Sequence, residues 1–145
     1  MARIIAKFGG TSVADVSRIK MAAEKIAQEH AQGHEVVVVV SAMAGTTNQL
    51  IDYCREVCPI FDAQEYDAVV ASGEQITAGL LALALQRHGI EARSWLGWQI
   101  SIHCDDTHGK ARILNIDRDK VIPSLEKRQI AVIAGFQGVT EQDRI

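Results

Sequence analysis

The sequence predicts an α/β fold in which helices cover both faces of a mainly parallel β-sheet. Short apolar segments alternate with amphipathic ones along the chain, which is the pattern of strand–helix–strand units. The segment "EVVVVV" is apolar on both faces, as a central parallel strand requires. Glycine- or hydroxyl-rich turns follow three predicted strands, and the ligand sites of such sheets lie at the carboxyl ends of the strands.

The first strand and helix are predicted from the opening thirty residues. Residues 3–8, "RIIAKF", are apolar and β-prone, and a glycine pair ends them. Between residues 14 and 30 the apolar residues recur at three- and four-residue spacing, which predicts an amphipathic helix. Asp15 falls in the first turn of this helix, and Gly33 follows its end.

The rest of the chain repeats this alternation. The valine-rich strand spans residues 35–43, and Gly89 is the predicted stop of a long helix. The other predicted elements are helices at residues 49–57, 63–88 and 117–128 and strands at residues 92–100, 110–114 and 129–136. Because no repeat, linker or low-complexity segment separates these elements, we draw no domain boundary within residues 1–145.

Composition narrows the class of protein. A chain of 145 residues with 48% hydrophobic and 23% charged residues has the balance of one globular domain. The net charge of −3 and the scattered basic residues argue against a nucleic-acid partner. We find no apolar run near the ~20 residues of a membrane span and no signal peptide, so we expect no membrane partner and a cytoplasmic location. Three cysteines, an odd number, predict reduced thiols.

The turn after the first strand predicts an anion site. In "KFGGTSV", Gly9 and Gly10 allow the backbone to approach a ligand, and Thr11 and Ser12 can bind phosphate oxygens or cap the next helix. Lys7 precedes the glycines, unlike the lysine of a Walker A loop, but from the strand its ammonium can reach the same space. A purely steric role of the glycine pair in a tight turn is an equal alternative.

The turn after the valine strand, "SAMAGTTN", is also polar. Taken alone it is best interpreted as a helix cap, with Thr46, Thr47 or Asn48 opening the next helix. Two polar turns at neighbouring strand ends are more typical of a ligand site, because the carboxyl ends of parallel strands meet at one edge of the sheet.

Glu74 is the third candidate, in "ASGEQIT" within the long predicted helix. Its neighbours are mostly apolar, and burial of an unpaired carboxylate is costly, so we expect it to have a partner. A substrate ammonium is one candidate partner. A surface lysine, or a solvated helix face, is the alternative.

Two weaker patterns suggest metal ligands. Cys54 and Cys58 share a helix face but have no second ligand pair, which a zinc site would need. The stretch at residues 103–108, "HCDDTH", is dense in potential ligands but lies in a turn, where polar residues are expected anyway. We therefore predict no metal site from either pattern. Trp95 and Trp98 are interpreted as core or interface residues.

Several ordered motifs resemble the aspartokinases of the amino-acid kinase superfamily. They are "KFGGTSV", "VVVVSAMAGTTNQL", "ASGEQIT", "GWQI", "HGKARI" and "AGFQGVT". The resemblance covers essentially the whole chain and implies a three-layer α/β/α sandwich. It also implies transfer of the ATP γ-phosphoryl group, with Mg²⁺, to the side-chain carboxylate of L-aspartate. The product, 4-phospho-L-aspartate, opens the pathway to lysine, threonine and methionine.

The resemblance also implies a role for each candidate residue. Lys7 would stabilise the transferring phosphoryl group, and Glu74 would bind the α-ammonium of aspartate. The phosphate-binding residues would be Lys7, Gly9, Gly10, Thr11 and Ser12, and the aspartate-binding residues would be Ser41, Thr46, Thr47 and Glu74.

The family pattern extends past residue 145. It continues with a "TTLGRGGSD" segment, the nucleotide-binding half of the kinase domain and ACT regulatory domains. The resemblance therefore implies that residues 1–145 are the N-terminal, substrate-binding portion of the kinase domain, inactive alone, from a parent that forms a homodimer. The alternative is a non-catalytic aspartate-binding or regulatory module. Ser101 and Cys104 depart from the family pattern, which leaves that loop in doubt.

Overall fold

The computed structural model describes residues 1–145 and contains six strands and four helices. The strands are β1 (Arg3–Phe8), β2 (Glu35–Val40), β3 (Ala92–Trp95), β4 (Ile102–Cys104), β5 (Ile113–Ile116) and β6 (Ile130–Ala134). The helices are α1 (Val16–Ala31), α2 (Thr46–Val57), α3 (Ala63–Arg87) and α4 (Ile122–Glu126). The alternation of strands and helices confirms the predicted α/β class.

Four of the strands form one parallel sheet in the order β1-β2-β6-β3. Val40 pairs with Phe8 on one side and with Ala134 on the other. The carboxyl ends of β1, β2 and β6 therefore meet at the same level. The last strand of the chain, β6, lies inside the sheet and has a parallel neighbour on each side, β2 and β3.

The larger core lies between the sheet and the helix layer of α1 and α3. Asp15 caps α1 by accepting a hydrogen bond from the Arg18 N–H at 2.8 Å, and Gly33, with φ of 90°, reverses the chain after the helix. The core residues that α1, β2, α3 and β6 bury at this interface include Ile19, Ala23, Val36, Val38, Leu81, Leu85, Ile130 and Val132. Their burial fixes the position of α3 on the sheet.

A smaller core covers part of the opposite face. Val37 and Ala131 of the sheet pack there against Ile100, Ile102 and Leu125. The covering layer consists of α4 and an antiparallel hairpin of β4 and β5. The molecule therefore has layers on both sides of the sheet, as predicted.

Three element predictions are wrong in their bounds. The strand predicted at residues 110–114 lies at Ile113–Ile116. The strand predicted at residues 92–100 ends at Trp95, and a turn at residues 97–101 separates it from β4, which the sequence analysis missed. Ser101, with φ of 49°, adopts the left-handed conformation between the two segments. The helix predicted at residues 117–128 contracts to the five residues of α4.

By length and composition α3 could cross a membrane, which the sequence analysis did not foresee. It has 25 residues, and its most apolar window has a mean hydropathy of 1.5. Half of that window is buried inside the protein, which is also typical of a central core helix.

Candidate active site

Three turns meet where β1, β2 and β6 end. The Ser41 N–H, just after β2, donates to the Phe8 carbonyl at 3.0 Å, and the Gly135 N–H, just after β6, donates to the Val40 carbonyl at 2.9 Å. The motifs "SAMAGTTN" and "GFQG" are thus each hydrogen-bonded to the last residue of the neighbouring strand, so they lie beside the turn "GGTSV" and beside each other. This is the edge of a parallel sheet at which ligands bind.

The first turn leaves several backbone donors free. The Ser12 and Val13 N–H groups donate to the Gly9 carbonyl at 2.9 and 3.3 Å, whereas the N–H groups of Gly9, Gly10 and Thr11 donate to no backbone carbonyl. A Cβ atom on Gly9 would meet nothing within 4 Å, so the turn is open to a ligand. Free N–H groups beside an open space suit the oxygens of an anionic ligand.

Lys7 occupies the penultimate position of β1, next to this turn. Its side chain is exposed and makes no salt bridge in the structure, so its charge is not committed to a protein carboxylate. A free ammonium at this position is available to an anionic ligand.

The start of α1 is separate from this turn, and neither Thr11 nor Ser12 caps the helix. The helix begins at Val16, six residues after Gly10, and its N-terminal end is already capped by the Asp15 carboxylate. Because a negative group occupies the positive end of the helix dipole, an anion gains little there. The donors of this part of the site are those of the turn itself.

The second turn provides the helix end that the first one lacks. The N-cap of α2 is Gly45, with φ of 77°, and no side chain caps the helix. The interpretation of Thr46, Thr47 or Asn48 as the N-cap is therefore wrong. The N–H groups of Thr47 and Asn48 donate to no backbone carbonyl, and no acidic residue lies in the first turn. The uncapped end of α2 can therefore accept a carboxylate or phosphoryl oxygen.

Glu74 lies on the face of α3 that packs toward this second turn. Its side chain is only 6% exposed, and Oε2 is buried without a hydrogen-bond partner. Burial raises the pKa of the Glu74 carboxyl, and the backbone N–H of Ala42 offsets part of that rise. Because Glu74 is buried and makes no salt bridge, the alternatives of a surface lysine partner and a solvated helix face are wrong.

Two contacts that position Glu74 were missed by the sequence analysis. A Cβ atom on Gly73 would lie 3.0 Å from the Ala42 Cβ, and one on Gly10 would lie 3.2 Å from the Ala42 carbonyl oxygen. Ala42 thus lies in contact with both the first turn and α3. The small residues that precede Glu74 in "ASGEQIT" were the available signal. The residue that they contact, Ala42, lies 31 positions before Gly73 in the chain.

The polar residues at 103–108 form hydrogen bonds that hold the loop in place. His108 Nδ1 lies 3.1 Å from Asp67 Oδ2 of α3, which also accepts the Gly109 N–H at 2.8 Å. Asp105 accepts the N–H groups of Thr107 and Arg112, and these hydrogen bonds lower the pKa of the Asp105 carboxyl. The cluster borders a cavity of about 260 Å³ between α3, the β4–β5 hairpin and the turn after β6.

No metal centre is assembled by these residues. No group of three or more His, Cys, Asp or Glu side chains is placed to hold a metal ion, either at Cys54 and Cys58 or at residues 103–108. All three cysteines are free, as predicted. The Mg²⁺ that the family resemblance implies has no protein ligand set in this chain, and we derive no step through it.

Comparison with known proteins identifies relatives along the whole chain. The model of the amino acid kinase family matches residues 2–145. The aspartokinase of Rickettsia bellii is 47% identical over 148 residues, which is all of this chain and 36% of that protein. The aspartate kinase of Pseudomonas putida is 45% identical over all of this chain and 35% of its own length. The chain thus spans little more than a third of these curated relatives.

Solved structures share the fold. The aspartate kinase of Synechocystis superposes with a TM-score of 0.79 at 36% identity, covering 93% of this chain and 22% of that one. E. coli aspartokinase III, in a complex with aspartate and ADP, superposes with a TM-score of 0.80 at 19% identity, covering 99% of this chain and 42% of that one. The latter likeness concerns the fold alone.

Proposed function

Because the chain belongs to the amino acid kinase family, we propose that it contributes the substrate-binding part of an aspartate kinase. The reaction is transfer of the ATP γ-phosphoryl group to the side-chain carboxylate of L-aspartate. The observation that carries the proposal is the buried, unpartnered Glu74 carboxylate beside the free N–H groups that begin α2. A carboxylate that can bind a cation lies next to N–H groups that can bind an anion. This pair matches an amino acid, which carries both charges.

Each candidate residue has a defined task in this proposal. Glu74 binds the α-ammonium of aspartate, and Ser41, Thr46 and Thr47, with the start of α2, hold its carboxylate oxygens. The open turn at Gly9 and Gly10, with Thr11 and Ser12, holds phosphate oxygens of ATP. Two observations support this division: Glu74 is buried next to the contact of α3 with the second turn, and Lys7 lies next to the first turn.

The chemistry needs positioning and charge neutralisation more than proton transfer. A carboxylate is already ionised at neutral pH, so no general base is required to activate it. One aspartate side-chain oxygen forms a bond to the γ-phosphorus as the bond to the ADP oxygen breaks, and ADP leaves with that electron pair. Lys7 neutralises charge on the transferring group, while Glu74 holds the acceptor in line.

The nucleotide-binding half of this site is proposed to lie outside the 145 residues. The chain spans 36% of the Rickettsia bellii relative, and the groups described above serve mainly the acceptor and the terminal phosphates. We expect these residues alone to be inactive. The full-length parent is expected to be a cytoplasmic homodimer that uses ATP with Mg²⁺ and begins lysine, threonine and methionine synthesis.

A non-catalytic aspartate-binding module is the second candidate. It is favoured by one observation, which is that the chain spans only 36% of the Rickettsia bellii relative. Such a module would bind aspartate without transferring a phosphoryl group.

Trapping of aspartyl phosphate as its hydroxamate tests the proposal. The 145-residue chain and a chimera, extended with the remaining residues of the Pseudomonas putida relative, are incubated with ATP, Mg²⁺ and L-aspartate. We expect product only from the chimera. Product from the short chain would overturn the division of the site between two segments. Aspartate binding without product from either chain would favour the binding module over the kinase.

A further inference from the structure

We propose that a junction of three small residues, Gly10, Ala42 and Gly73, sets the spacing between the phosphate-binding turn and Glu74, and thereby selects aspartate over the longer glutamate. The inference rests on the function proposed above and adds positioning residues that determine specificity. None of the three side chains carries a functional group, so their role is to fix distances.

Gly73 is the residue through which α3 contacts the second turn. A Cβ atom at this position would lie 3.0 Å from the Ala42 Cβ, 3.4 Å from Leu50 Cδ1 and 3.5 Å from Thr46 Cγ2. Only the first distance is shorter than ordinary van der Waals contact. Because Gly73 has no side chain, α3 packs directly against Ala42. Glu74 is the next residue of α3 and is thereby held close to the second turn.

Ala42 links this contact to the phosphate side of the site. Its carbonyl oxygen would lie 3.2 Å from a Cβ atom on Gly10, while its own Cβ lies against Gly73 of α3. The backbone is further tied to β1 because the neighbouring Ser41 N–H donates to the Phe8 carbonyl. A displacement of α3 at Gly73 therefore changes the distance from Glu74 to the first turn.

Under the proposed function, that distance has to match the separation between the α-ammonium and the side-chain carboxylate of the substrate. Glu74 is proposed to bind the α-ammonium, and the first turn the phosphoryl group that the side-chain carboxylate receives. Aspartate and glutamate differ in this separation by one methylene group, and a rigid site discriminates such a pair by about 10- to 200-fold. The interior of α3 is buried against the sheet, which provides the rigidity.

Substitution of Gly73 by alanine in the active chimera tests the junction. We expect Gly73→Ala to raise the aspartate KM about tenfold with a smaller change in kcat, and to reduce the ratio of kcat/KM for aspartate to that for glutamate. Ala42→Gly in the same chain removes the Cβ that the new methyl group meets, so the double variant should recover most of the aspartate KM. The Ala42→Gly single variant completes the cycle.

Gly79→Ala is the matched control. Gly79 lies in the same helix, and a Cβ atom there would meet nothing within 4 Å. This variant should leave the aspartate KM and the substrate ratio unchanged. Thermal melting of all five proteins shows whether each one is folded.

The outcomes separate this inference from the proposed function. If the unsubstituted chimera transfers no phosphoryl group to aspartate, the proposed function fails. If it is active but Gly73→Ala leaves KM and the substrate ratio unaltered, the junction proposal alone is wrong. A Gly73→Ala defect that Ala42→Gly does not relieve would also overturn it. If Gly73→Ala fails to fold, recovery of folding but not of aspartate selectivity in the double variant would equally contradict the proposal.

Discussion

At the scale of single residues, Glu74 shows what burial of an unpaired carboxylate costs in stability. The side chain is buried, its Oε2 has no partner, and burial raises the pKa of the carboxyl. Below the ordinary pKa of glutamate the folded and unfolded states both bind the proton, and there is no penalty. Above that pKa the unfolded chain loses its proton more readily than the folded protein does. The free energy of unfolding therefore falls as the pH rises from the ordinary pKa through the raised pKa of the folded state.

Glu74→Gln should therefore stabilise the unliganded chain at neutral pH. The amide keeps the shape of the side chain without its charge, and we expect a gain on the order of 1 kcal/mol in the free energy of unfolding at pH 7 and none at pH 4. Urea denaturation across this range measures it. Glu24→Gln, at an exposed position of α1, is the control. A stability loss at pH 7 would show that the charge has a protein partner after all.

Lys7 is expected to act on the rate of transfer. In the active chimera, Lys7→Ala should lower kcat by about 10²- to 10³-fold and leave the aspartate KM nearly unchanged, because charge neutralisation matters most in the transition state. Steady-state kinetics distinguish the two parameters, with Lys20→Ala on the exposed side of α1 as the comparison. A variant with a raised KM and unchanged kcat would contradict the assignment.

Residue types alone made Lys7 and Glu74 candidates, but they did not decide whether Glu74 is buried or lies on a solvated helix face. The structure buries Glu74. The close approach of Gly73 to Ala42 could not be predicted in the same way, because it depends on how α3 docks against a turn distant in sequence. The uncapped start of α2 was missed because threonines are favoured caps, but Gly45 takes that position.

At the scale of elements, long periodic segments were predictable and short ones were not. The apolar periodicity of α1 and the length of α3 placed both helices within two residues of their observed bounds. By contrast, β4 has three residues, too few to establish an alternating pattern, and its pairing with β5 is irregular after His103. Its conformation is set by contact with the sheet, and no local signal indicates it.

Two glycines of different elements should respond in opposite ways to alanine. A Cβ atom on Gly135, after β6, would lie 2.8 Å from the Val40 carbonyl oxygen, and the sheet ladder prevents that oxygen from moving. Gly135→Ala should therefore cost about 1–3 kcal/mol in the free energy of unfolding. Gly79→Ala, in open space on α3, should gain about 0.5–1 kcal/mol. Chemical denaturation that found equal effects would contradict this packing.

At the scale of the whole molecule, the order of the strands in the sheet is the feature that the sequence pattern could not predict. The sequence indicates which segments are buried on both faces, and β2 and β6 fit that description. It does not indicate that the last strand inserts between β2 and β3, since both orders bury the same apolar residues. Insertion brings the turn after β6 beside the turns after β1 and β2, so the site depends on this order.

The same order leaves β1 at one edge of the sheet, where we expect self-association of the 145-residue chain. β1 pairs only with β2, and its Ile5 side chain is 71% exposed. An unpaired edge with exposed apolar residues favours strand pairing between copies, whereas a lysine on such an edge opposes it. Sedimentation velocity should thus show association that increases with concentration, and Ile5→Lys should reduce it. Ile60→Lys, at a residue 93% exposed outside the sheet, should not. A chain that remains monomeric, or equal effects of both substitutions, would show that the β1 edge does not drive association.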